Sequence, residues 1–118
     1  MEIGVRPHFA SPNTRMRHFY RTSLTPAEAI ESADAFFSAL GLQTLSSSPR
    51  VRTYRGVVGE PEVPVTVQVS AKPEGGHYTF VEAVTDQMGE SRIDRNVKRY
   101  FVTLHRKTEP SHALEAAY

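Results

Sequence analysis

No cysteine occurs anywhere in the 118-residue chain. Disulfides and thiolate zinc sites are therefore excluded outright. No apolar run approaches the roughly 20 residues that a membrane-spanning helix needs. The opening MEIGVRPHFASP also lacks the apolar stretch of a secretory signal. Excess charge is missing too. The formal net charge is +1, well short of the strongly basic balance of a domain built mainly to grip nucleic acid. No two of the five histidines (His8, His18, His77, His105, His112) stand at i, i+4 on one helix, and no HExxH occurs, so metal ligation has no sequence support. GxGxxG and Walker patterns are absent, and Gly75-Gly76 reads as a hairpin turn. No catalytic residue and no cofactor is assigned, and a cytoplasmic location is the expectation.

What remains points to one domain. A chain of this length buries roughly two thirds of its unfolded surface, enough for a core without staples. The clearest pattern lies in residues 91–107, where Ile93, Val97, Tyr100, Phe101 and Leu104 recur at i, i+4, i+7, i+8 and i+11. That spacing is one helical stripe. Arg92, Arg95, Lys98, Arg99, Arg106 and Lys107 occupy the other faces, with Asp94 as the only acid. Ser91 and Asp94 form a cap pair, and His105, Arg106 and Lys107 suit the negative end of the helix dipole. By contrast, residues 25–49 carry Glu28, Glu31 and Asp34 and no lysine or arginine. Such polarity steers partners of opposite charge.

The other helix is bounded at both ends. Thr25-Pro26-Ala27-Glu28 is a capping box with proline at the first helical position. Ile30, Ala33, Phe37 and Leu40 make its buried stripe, and Gly41 supplies a left-handed cap that lets Leu42 fold back on Phe37. Residues 16–24 (MRHFYRTSL) read as a strand, with Met16, His18, Tyr20 and Thr22 on one side and Arg17, Phe19 and Arg21 on the other. The arginines mark that second side as solvent-facing, and Phe19 breaks the pattern. Residues 46–49 read as a loop. Residues 50–57 read as a strand with poor alternation, hence an edge. Val63, Val65, Val67, Val69 and Ala71 alternate cleanly with polar residues, a strand with one buried face. Residues 77–85 carry apolar side chains on both faces and are expected as the central strand of the sheet. The expected class is α+β, in the order β-α-β-β-β-α, with an antiparallel sheet of about four strands and both helices on one face.

This order, with its capped first helix and a long last helix ending in NVKRYFVTL, resembles a shortened START-like, helix-grip domain across residues 15–107. The resemblance implies a long C-terminal helix gripped by a curved antiparallel sheet. It also implies an apolar ligand cavity between them, walled by Ile93, Val97, Tyr100 and Phe101. The chain is shorter than that family's usual members, and fewer strands enclose less volume.

Candidate chemistry is thin. Glu82 and Asp86 share the sheet with Tyr20, Tyr54 and Tyr78, residue types suited to acid–base work. Nothing in the spacing fixes their geometry. Arginines alternate with aromatics in RHFYR and RVRTYR, as in single-strand binders, but the RNA-recognition aromatic motif is absent, and nucleic acid is disfavoured.

The arms are more informative. Residues 1–14 and 108–118 show no periodicity that builds a core. The first arm carries Ile3, Val5 and Phe9 in a proline-containing segment, the type that docks in extended form on another surface. The leading expectation is a non-enzymatic accessory or structural subunit. It binds a protein partner or larger complex through Ile3, Val5, Phe9, Arg95, Arg99 and Arg106. The alternative is a START-like protein or enzyme that binds a small apolar molecule.

Overall fold

The computed structural model describes residues 15–87 and 91–108. The chain runs β1 (Met16–Thr22), α1 (Pro26–Ala39), β2 (Gln43–Ser48), β3 (Val51–Val58), β4 (Val63–Glu74), β5 (Tyr78–Thr85) and α2 (Arg92–Thr108). The strands form one sheet in the order β1-β5-β4-β3-β2, antiparallel throughout.

α1 begins and ends for local reasons. The Thr25 hydroxyl accepts the Glu28 N–H at 3.1 Å, and the Glu28 carboxylate accepts the Thr25 N–H at 2.9 Å. Two donors that the helix leaves open are thereby satisfied. At the other end Gly41 adopts φ +97°, and the Leu42 N–H closes on the Phe37 carbonyl at 3.0 Å. A left-handed residue just past the helix is what permits that closure.

The sheet pleat sorts side chains into two rows. Register places Tyr20 opposite Val81, Val81 opposite Ala71 and Thr85 opposite Val67, and Val67 opposite Tyr54. This inner row faces both helices. Phe37 of α1 stacks on Tyr54 at 5.0 Å, and Phe101 of α2 stacks on Tyr20 at 5.2 Å. The helices also touch each other, since the Tyr100 hydroxyl donates to the Ala29 carbonyl at 2.8 Å. The core is this sandwich of one sheet face and two helices.

Three strand assignments need correction. The sheet has five strands rather than about four, because residues 46–48, expected in a loop, are strand and only Pro49 stays in the turn. Gln43–Ser48 is a strand paired with β3, bulged between Thr44 and Ser46. Every residue of β2 is exposed, so no burial pattern marks it, and backbone pairing alone defines it. Accordingly β3 is interior and β2 is the edge. The alternation of β3 reads poorly because its inner row includes Arg52 and Gly56. Arg52 is held by Asp34. Gly56 lies where a Cβ would come within 2.6 Å of the Leu42 side chain. The strand of residues 77–85, expected at the centre, is β5, interior between β1 and β4; the middle strand is β4.

Candidate partner-binding surface on the last helix

Packing fixes the rotation of α2. Ile93, Val97, Tyr100 and Leu104 are fully buried, and Phe101 is 9% exposed. Burial pushes the Tyr100 hydroxyl well above its ordinary pKa, so it acts as a neutral donor to Ala29. With that stripe turned inward, Arg92, Arg95, Arg99, Val102 and Arg106 all face solvent. They stand at i, i+3, i+7, i+10 and i+14, a single line of about 21 Å along the helix. Lys98 and Lys107, also exposed, flank it.

The one acid of this helix does not dilute that line, because it points the other way. Asp94 is buried. Its Oδ1 meets His18 Nε2 of β1 at 2.8 Å and accepts the Thr85 hydroxyl at 2.9 Å. Its Oδ2 accepts the Ser91 hydroxyl at 2.8 Å, while the Ser91 oxygen accepts the Asp94 N–H at 3.2 Å. Asp94 thus caps α2 and pins it to β1 and β5. The outward face is left with charge of one sign.

Arg95, Arg99 and Arg106, the binding residues expected from sequence, share this face. Ile3, Val5 and Phe9 lie outside the described residues. Ile93, Val97, Tyr100 and Phe101, the expected cavity walls, are all buried. Ile93 adjoins a recess of about 250 Å³, which it shares with Val58, Val63, Val65, Gln87 and Arg92.

The carboxylates and tyrosines considered for acid–base work do not converge. Glu82 pairs with Arg17, and Asp86 accepts the Thr66 N–H at 2.9 Å. Tyr20 sits 3.3 Å from His105, and Tyr78 is exposed. The Tyr54 hydroxyl donates to Asp34 at 2.7 Å. Burial, with that bond and the Asp34 charge, drives its pKa far up.

His18 meets Asp94 across the sheet–helix junction. Sequence reading missed this pair, which joins residues 76 apart. A signal existed: His18 falls between Met16 and Tyr20 on the buried row of a strand. A polar residue there requires a polar partner, and Asp94 is the one acid on the helix that covers it.

Among the described residues no group of three or more His, Asp or Glu side chains is placed to hold a metal ion. No described helix is long and apolar enough to cross a membrane. No family model matches the chain, and no curated protein matches it significantly.

Proposed function

We propose that this chain is a non-enzymatic accessory or structural subunit that binds an acidic protein partner along the outward face of α2. Residues 1–14 and 108–118 supply further contacts. The observation that carries the reading is the line Arg92, Arg95, Arg99, Val102 and Arg106, exposed on one face while Asp94 is turned into the core. Arginine suits such a role because its planar fork binds carboxylates in bidentate fashion. Val102, 48% exposed, offers an apolar contact in the middle of the line. The exposed acids of α1 are Glu28 and Glu31, and Asp34 is engaged by Arg52 and Tyr54.

A second reading, a START-like small-molecule-binding protein, draws on the C-terminal helix laid across an antiparallel sheet and on the recess beside Ile93. At about 250 Å³ that recess falls below the range of about 300–1,000 Å³ usual for ligand sites.

The test is affinity purification from the native cell with wild type and an Arg95→Glu/Arg99→Glu variant. Reversal is expected to weaken partner retention by at least about tenfold at low salt, with the difference shrinking as ionic strength rises. Removal of residues 1–14 is expected to release the partner while leaving the melting temperature nearly unchanged. Equal, salt-insensitive retention of the same proteins by wild type and the charge-reversed variant would refute the reading.

A further inference from the structure

The spacing of the basic line on α2 restricts the shape of what can lie against it. Arg92, Arg95, Arg99, Val102 and Arg106 follow one another in alternating steps of three and four residues. Two helices that run side by side share those steps along the seam between them. Successive positions are separated by rises of about 4.5 and 6 Å along the axis. A second helix with acids at the same steps meets each arginine in turn. An extended strand presents a side chain to one face every roughly 6.7 Å, so it is about 2 Å out of step at the second arginine and about 3 Å at the third.

Among the described residues, none of Arg92, Arg95, Arg99 and Arg106 is paired with a carboxylate; Arg17, Arg21 and Arg52, which are, lie on strands. The line is also partly pre-set. Asn96, 6% exposed, donates to the Arg92 carbonyl at 2.9 Å, and its side-chain oxygen accepts from Arg99 at 3.2 Å. Arg99 is thereby held near the middle of the line, with most of its donors still open. A side chain already ordered gives up less freedom on binding. Val102 is the one apolar member, and a single apolar contact among charges fixes the register of two helices. Other occupants match less well. A nucleic acid would meet a chain of net charge +1, short of the excess that phosphate neutralisation needs. The α1 helix of a second copy offers only Glu28 and Glu31, less than one turn apart, against a line of about four turns.

On the reading that α2 holds an acidic protein partner, we infer that the element docked there is an acidic α-helix lying alongside it. It carries Asp or Glu at three- and four-residue steps and an apolar residue opposite Val102. The arginine stems pack along that helix while their charged heads reach its carboxylates.

Fluorescence anisotropy of labelled peptides with the purified protein tests this. One stapled helix of roughly 18 residues, long enough to span the line, carries glutamate at i, i+3, i+7 and i+14 and leucine at i+10. A second carries the same series in reverse order, for the antiparallel orientation. The controls are a stapled helix of the same composition with its glutamates spread around all faces, and a chain with the same acids broken by proline. One of the periodic helices is expected to bind at least about tenfold tighter than either control at low salt, and Arg95→Glu/Arg99→Glu to lose that binding. Controls that bind as tightly as the periodic helices overturn the helical partner and leave the acidic-partner reading standing. Absence of binding by every peptide at about 1 mM also overturns it, and retention in extract then decides the broader reading separately. Tighter binding of duplex DNA or of phosphatidylserine vesicles than of either periodic helix, at matched salt, overturns it as well.

Discussion

Phe37→Ala is expected to lower stability by about 3–5 kcal/mol, the range for truncating a fully buried phenylalanine. Phe37 is 0% exposed and stands where α1, α2 and the sheet meet. Its ring stacks on Tyr54 at 5.0 Å, meets Phe36 edge-on at 5.1 Å and tilts against Tyr100 at 5.5 Å. These neighbours are fixed on three separate elements, so the site cannot collapse cheaply around the void. Phe101→Ala is expected in the same range, because Phe101 holds α2 to Tyr20 and Tyr100. Phe19→Ala should cost clearly less, since its ring is half exposed. Urea unfolding of the three variants makes the comparison. A Phe101→Ala protein as stable as wild type would mean that α2 does not pack as described. A domain of this size typically has about 5–15 kcal/mol in total, so either core variant removes much of it.

The second large effect is expected at the join between β1 and α2. His18→Ala should destabilise by about 3–5 kcal/mol, because it strips the partner from a buried carboxylate. The Asp94 side chain is 3% exposed and would keep only the Thr85 and Ser91 donors. Arg17→Ala, at an exposed ion pair on the same strand, should cost about 0–1 kcal/mol. Asp94→Asn removes the charge while keeping an acceptor. The double variant His18→Ala/Asp94→Asn should therefore be less destabilised than the sum of the single ones by at least about 1 kcal/mol. A double-mutant cycle in urea measures that coupling directly. Additivity within error would show that the pair does not act as a unit.

The join also shows where sequence stops being informative. The caps of α1 were legible because Thr25, Pro26, Glu28 and Gly41 each act within a few residues of their own position. The stripe of α2 was legible because burial on one face imposes a period. β4 was legible for the same reason, with valine at alternate positions. β2 was not: a serine-rich edge strand buries nothing, and its hydrogen bonds leave no trace in side-chain pattern. β3 misled because Arg52 and Gly56 occupy its buried row for reasons that lie elsewhere, in Asp34 and Leu42. The proposed binding surface was half legible. The basic residues of α2 were plain, but a single-sign face depends on the direction in which Asp94 points. That direction is set by His18, which lies at the other end of the chain.

The measurement that bears most directly on the central claim is the size of this protein in native extract, compared between wild type and Arg95→Glu/Arg99→Glu. Wild type is expected to migrate in an assembly larger than any dimer of itself, and the variant to fall to the size of the purified protein. A wild type that migrates in extract as it does when purified would contradict the claim that α2 is a partner-binding surface. So would a large assembly that charge reversal leaves intact.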